Sequence, residues 1–199
     1  INYVSFVITA SLYSIFCLRK KKFDIIFTAQ LSPIFSTIPA ILCKRIFKAK
    51  LFFWVLDIWP DSLTLTNINI KTKKYKLLEY VCSLCYSYAN ILFISSKGFQ
   101  KPLHRMGISK NKIKFLPNWV EESYGKDLET GSFESKKVDE IFSMHRGKKI
   151  FLFAGNIGEA QNFSNLLKSF KNSKSLDKLA FLIIGDGRYK KELDNIINL

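Results

Sequence analysis

Residues 51–63 read LFFWVLDIWPDSL. Leu51 to Leu56 is an unbroken run of aliphatic and aromatic residues, which suits one strand buried on both faces of a parallel sheet. The run stops at a charge, Asp57. Pro60 then fits the first turn of a following helix, because its missing N–H would be unpaired there anyway. A carboxylate is thus set at the carboxyl end of a buried strand, the edge of an open α/β sheet where ligands bind. Asp57 is therefore the first candidate functional residue. Its position alone also suits a plainer role, capping the helix that follows, since Asp is a preferred capping residue.

The flanking sequence repeats the pattern. Upstream, Phe23 to Ala29 reads as a second buried strand, and Ser32-Pro33 opens a helix running to Lys48. Two strands separated by a helix-length crossover form a βαβ unit, which requires parallel pairing and a right-handed connection. Downstream, Thr72 to Ala89 carries Leu78, Val81, Cys82 and Cys85 at helical spacing. Ile91 to Ile94 is a third strand, Ser95 or Ser96 can cap a helix through Met106, and Lys112 to Leu116 is a fourth short strand. Strand patterning disappears over residues 121–136, the candidate linker. It resumes with strands at Lys149 to Ala154 and Leu179 to Ile184, each followed by a glycine loop and a helix, Asn162 to Lys171 and Arg188 to Leu199. The expected class is α/β, with pieces of two Rossmann-type domains.

The glycine loops are the second set of candidates. Gly155-Asn156-Ile157-Gly158 lies between a strand and a helix, where glycine lets backbone approach a ligand and the first helical turn offers unpaired N–H groups to an anion such as a diphosphate. An ordinary βα turn would also use glycine. Gly185-Asp186-Gly187 is a weaker site of the same type, because Asp186 would repel phosphate, though it could accept from a sugar hydroxyl or a base.

The 199 residues allow one large domain or parts of two. The chain begins at Ile1 and stops at Leu199 inside a helical pattern, and the expectation is a fragment with residues missing at both ends. The formal charge of +15 calls for an anionic partner, most strongly in residues 1–100, where 13 basic residues face 4 acidic ones. No basic stripe with interleaved aromatics or nucleic-acid signature is present, which argues against nucleic acid and leaves a phosphorylated substrate or an anionic bilayer. Four cysteines in apolar surroundings imply a reduced, cytosolic compartment, with Cys82 and Cys85 as core residues rather than half a zinc site. His104 and His145 lack partners at metal spacing, so no metal is expected. Asn2 to Leu18 is apolar, borderline in length for a membrane span, and closed by Arg19 to Lys22, so a buried or surface-lying helix is expected. The positive charges follow the apolar run rather than precede it, unlike a secretory signal.

WVLDIWPDSL, KFLPNWVE, FLFAGNIGEAQN and FLIIGDG, in this order and at these separations, resemble glycosyltransferase family 4. The resemblance is to the bacterial branch of amino-sugar transferases in O-antigen, capsule and colanic-acid assembly, and it covers almost the whole chain. It implies a GT-B architecture of two Rossmann-like domains. Residues 1–122 would be the later part of the N-terminal, acceptor-side domain, residues 123–148 a linker and lead-in helix, and residues 149–199 the first part of the nucleotide-sugar donor domain. It implies transfer from a nucleotide sugar, a UDP-sugar, with retention and without a bound metal or other cofactor. It puts Asp57 where many relatives carry an active-site acid or histidine, and Gly155, Asn156 and Gly158 under the donor phosphates. Gln161 falls where many relatives have a phosphate-binding lysine, and Asn156 near an arginine, so those cationic contacts are absent here. The family's donor-gripping glutamate pair falls beyond Leu199.

The expected protein is thus a cytoplasmic transferase, peripheral on the inner face of the plasma membrane. It would move an N-acetylated amino sugar onto a polyprenyl-pyrophosphate-linked acceptor, and the fragment alone would be inactive. The competing reading is a non-catalytic Rossmann-like binding protein or pseudoenzyme scaffold in polysaccharide assembly.

Overall fold

The computed structural model describes residues 2–66, 72–122 and 136–197, and the chain divides after Trp119 into two compact units. The first unit holds four parallel strands, β1 (Ile25–Gln30), β2 (Lys50–Val55), β3 (Ile91–Ile94) and β4 (Ile113–Phe115), side by side in sequence order. Helix α1 (Asn2–Phe16) precedes them, and α2 (Ile38–Phe47), α3 (Lys73–Tyr88) and α4 (Gln100–Arg105) make the crossovers.

Strand order explains where the core lies. Right-handed crossovers that always step in the same direction put their helices on one face of the sheet. Leu51, Phe53, Val55, Leu92 and Ile94 point to that face and are fully buried against Cys82 and Tyr86 of α3 and Leu103 of α4. The alternate residues are less covered: Phe52, Trp54 and Phe93 are half-buried and Phe27 is exposed. They form an aromatic strip, with Phe52 and Phe93 edge to face at 5.9 Å and Trp54 stacked on Trp119 at 5.1 Å. The expectation that β2 is buried on both faces is therefore corrected, because all three crossovers lie on one side.

Local signals account for the boundaries. Thr72 caps α3 by accepting from the Tyr75 N–H at 3.2 Å, and Ser96 accepts from Gly98 N–H at the turn leading into α4. Cys82 and Cys85 are buried free thiols on α3. Burial pushes Cys82 up to about 12, with smaller contributions from Cys85, Glu79 and Asp61, and raises Cys85 as well, so neither is poised for redox or metal chemistry. Among the described residues no group of three potential metal ligands occurs, and no helix is long and apolar enough to cross a membrane. The linker expected over residues 121–136 lies mostly outside the described residues.

The second unit pairs two parallel strands, β5 (Lys149–Ala154) and β6 (Leu179–Ile184), in register from Lys149↔Leu179 to Ala154↔Ile184. Helices Phe163–Lys171 and Lys190–Ile197 cover one face, burying Phe163, Leu167 and Leu193 with Ile157 of the first glycine loop. The first of these begins one residue after expectation, because Asn162 adopts a left-handed backbone (φ 51°), a conformation Asn tolerates better than most residues.

Candidate functional site

In the first unit the carboxyl edge of the sheet is built in one plane. The ladder runs one residue past each strand, with Leu56 N–H donating to Gln30 O, Ser95 N–H to Val55 O and Leu116 N–H to Ile94 O at 3.0–3.1 Å. The loops after β1, β2 and β3 therefore leave the edge at the same level. Asp57 sits on the middle one, half-buried, between the loop after β1 and the loop after β3. Its side chain caps nothing. The next helical turn, Asp61–Thr66, starts after Pro60, and the Asp57 carboxylate has no hydrogen-bond or ion-pair partner among the described residues. Pro60, expected inside that turn, is fully buried just ahead of it.

What holds the Asp57 loop is buried beneath it. The hydroxyl of Tyr86, fully buried on α3, accepts from Trp59 N–H at 3.1 Å. It lies 3.3 Å from Oε1 of Gln30 and 3.5 Å from the carbonyl of Asp57, either of which can take its proton. Gln30, also fully buried, turns its amide to Leu31 O at 2.8 Å. One phenol and one amide thus tie together the loops that follow β1 and β2. Burial raises the Tyr86 phenol well above its usual range, so it remains a neutral donor. The far side of the loop is clamped as well, with Asp61 accepting from Tyr75 Oη at 2.9 Å and pairing with Arg105, which also reaches Glu79 at 2.9 Å. Trp59 Nε1 donates to Ser32 Oγ across the two loops.

In the second unit the two glycine loops lie backbone against backbone. Gly155 N–H donates to Ile184 O at 2.9 Å, Ile157 N–H to Asp186 O at 2.8 Å and Tyr189 N–H to Ile157 O at 3.1 Å. A Cβ on Gly185 would stand 1.9 Å from the Gly155 carbonyl oxygen, and one on Gly187 would stand 2.1 Å from that of Ile157. Gly185 and Gly187 are therefore required by the neighbouring loop. Gly158 differs: a Cβ there would meet only the tips of Asn156 and Gln161, each 2.9 Å away.

Gln161 does not reach outward. Its Oε1 accepts from Gly158 N–H at 3.0 Å, so the side chain occupies a backbone donor that an anion would otherwise take. Asp186 accepts from Gly187 N–H at 2.8 Å while its carboxylate stays exposed, 4.0 Å from Lys190. The structure thus gathers Gly155, Asn156, Gly158, Gln161, Gly185, Asp186 and Gly187 on one edge of the β5–β6 pair. Asp57 stands on a different sheet. Tyr86, Gln30 and Asp61 had no role in the sequence reading.

Two units with parallel sheets, the second with glycine loops at its carboxyl edge, make an α/β fold of GT-B type, the fold of the solved structures that the chain matches. Anabaena HepE in complex with UDP and glucose shares it, matching 98% of this chain and 47% of its own with a TM-score of 0.61 at 14% identity. HepE with UDP alone matches 96% of this chain and 48% of its own at the same score and 13% identity.

Sequence relatives point the same way. The probable glycosyltransferase WbjE of Pseudomonas aeruginosa is 29% identical over 143 residues, 68% of this chain and 34% of its own length. An uncharacterized glycosyltransferase of Methanocaldococcus jannaschii is 28% identical over 191 residues, 91% of this chain and 44% of its own. The putative colanic acid biosynthesis glycosyl transferase WcaI of Escherichia coli K12 is 21% identical over 174 residues, 82% of this chain and 42% of its own. No protein-family model matches. The chain is similar to glycosyltransferases along most of its length, and it spans less than half the length of these relatives.

Proposed function

We propose that the chain is part of a retaining family 4 glycosyltransferase that moves an N-acetylated amino sugar from a UDP donor to a polyprenyl-pyrophosphate-linked acceptor in surface-polysaccharide synthesis. The observation that carries this reading is the unpartnered, half-buried carboxylate of Asp57 at the carboxyl edge of a parallel sheet, on a loop fixed from beneath by Tyr86 and Gln30. A group kept without a partner and yet positioned is suited to a contact made with a ligand.

In the proposed reaction the bond from the anomeric carbon to the UDP oxygen breaks and a bond to an acceptor hydroxyl oxygen forms, the hydroxyl proton leaving with the diphosphate. Asp57 stabilises positive charge at the anomeric carbon or accepts from a sugar hydroxyl. Asn156 and Gly158 receive the diphosphate through backbone N–H groups, Gly155 letting the backbone approach it and Gln161 releasing its hold on Gly158 N–H, while Asp186 accepts from a donor hydroxyl. The nucleotide sugar is a substrate, and no metal takes part. The name of WcaI, a putative colanic acid biosynthesis glycosyl transferase, supports the polysaccharide part of this reading, and the UDP bound by HepE supports the nucleotide-sugar part.

The test is transfer by the intact protein from labelled UDP-N-acetylhexosamines to a polyprenyl-pyrophosphate-linked sugar, with and without EDTA. Turnover that survives EDTA is expected. Binding of UDP-sugar without transfer to any acceptor of this class would instead favour the non-catalytic scaffold.

A further inference from the structure

The backbone N–H groups of the first glycine loop are divided between two kinds of partner. Gly155 N–H and Ile157 N–H donate to Ile184 O and Asp186 O, at 2.9 and 2.8 Å. Those bonds run backbone to backbone and hold the two loops together, so neither N–H is open to a ligand. The residues that alternate with them are differently placed. Asn156 N–H has no partner among the described residues. Gly158 N–H meets the exposed side chain of Gln161, whose Oε1 lies 3.0 Å away. Gln161 N–H in turn donates to Gly158 O at 3.3 Å, so the turn closes on itself.

An amide oxygen and a phosphate oxygen make the same demand on a backbone N–H. They differ in charge, and a charge-assisted hydrogen bond is about twice as strong as a neutral one. The Gln161 amide can therefore occupy Gly158 N–H and still give way to an anion. A glutamate would satisfy the same capping geometry, but it would carry a negative charge into the place that a phosphate must take.

We propose that Gln161 is an intramolecular competitor for the diphosphate and sets the affinity of the glycine loop for the nucleotide sugar. In the ligand-free protein its Oε1 stands in for a phosphate oxygen. When the diphosphate arrives the side chain swings away, and Gly158 N–H joins Asn156 N–H in holding the anion. A side-chain rotation is enough, because Gln161 is exposed and the loop backbone is already fixed by its bonds to Ile184 and Asp186. The same competition loosens the UDP left after transfer. This inference rests on the transferase reading, which supplies the diphosphate.

The experiment titrates the intact protein with UDP and with uridine by calorimetry, for the wild type, Gln161→Met and Gln161→Glu, beside thermal melts of each. Met keeps the length of the side chain and removes the amide oxygen, whereas Glu keeps an acceptor and adds charge. Gln161→Met binds UDP about threefold to tenfold more tightly, the scale of one intramolecular hydrogen bond, although it melts no higher than the wild type. Gln161→Glu binds UDP roughly tenfold more weakly, the scale of a like charge beside the diphosphate, although it melts no lower. Uridine affinity is the same in all three. A residue that only supports the turn would give the opposite pairing, with UDP binding following stability. Unchanged or weaker UDP binding by Gln161→Met would overturn the inference, and sugar transfer retained by that variant would leave the transferase reading standing. A wild type that neither binds UDP nor transfers sugar would overturn that reading and this inference with it.

Discussion

The Tyr86 hydroxyl accepts from Trp59 N–H at 3.1 Å, two residues past Asp57, and lies 3.3 Å from Oε1 of Gln30, the last residue of β1, so it joins two strand ends at the candidate site. Tyr86→Phe keeps the ring that fills the core and removes only the oxygen. It strands Trp59 N–H and Gln30 Oε1 in a dry environment, a loss of about 1–3 kcal/mol for an unsatisfied buried polar group. We expect urea denaturation to show a loss of that size, and the intact enzyme to lose roughly tenfold in kcat with little change in KM for the donor. Unchanged kcat in a destabilised variant would show that the network supports the fold alone.

For Asp57 the structure sharpens the choice between cap and site. A cap would survive Asp57→Asn, because Asn caps as well as Asp. The carboxylate caps nothing here. Asp57→Asn in the intact enzyme is expected to lower kcat by roughly 10², the scale of one lost transition-state contact, with donor affinity and melting temperature little changed. Near-normal turnover would remove Asp57 from the mechanism.

Legibility followed sequence distance. The strands Ile91–Ile94, Lys149–Ala154 and Leu179–Ile184 could be read to the residue, because each is an apolar run stopped by glycine, serine or a change in polarity. The carboxyl-edge position of Asp57 followed from the same rule. Tyr86 could not be found this way. In sequence it is one more aromatic on a helix face, and its partner Gln30 is 56 residues away. Asp61 reads as the tail of DIWPDS until Arg105 is seen beside it. Gln161 did leave a signal, since Gly158 and Gln161 have the spacing of a capping box, in which the third residue reaches back to the first N–H. Gly185 and Gly187 were read for a ligand, whereas the atoms that would collide with their Cβ belong to the adjacent loop.

That contact predicts an order of tolerance among the glycines. Gly185→Ala and Gly187→Ala must push a carbonyl that lies 1.9 Å or 2.1 Å from the new Cβ, at φ of +156° and +159°. Gly158→Ala need move only two flexible side-chain tips. Strained backbone alone costs about 1–3 kcal/mol, and separating the loops adds to it. Denaturant melts should rank Gly185→Ala and Gly187→Ala well below Gly158→Ala. Equal stability for all three would mean that the two loops do not pack as described.

The cysteines give a test that needs no substrate. Cys17 is exposed, whereas Cys82, pushed up from 9.0 to about 12 by burial, and Cys85, raised by the same cause, stay protonated at neutral pH. Iodoacetamide at pH 8 should label Cys17 quickly and reach Cys82 and Cys85 only after denaturation. The same shifts set an alkaline limit. Above pH 9 the unfolded thiols lose protons that the folded ones retain, so stability is fully present below that pH and falls as pH rises toward 12. At pH 10.5 the Cys82 contribution amounts to about 2 kcal/mol, taking 1.36 kcal/mol per unit of separation. Urea denaturation at pH 8 and pH 10.5 should show a smaller alkaline loss for Cys82→Ala than for the wild type. Identical losses would mean that the Cys82 thiol is open to solvent.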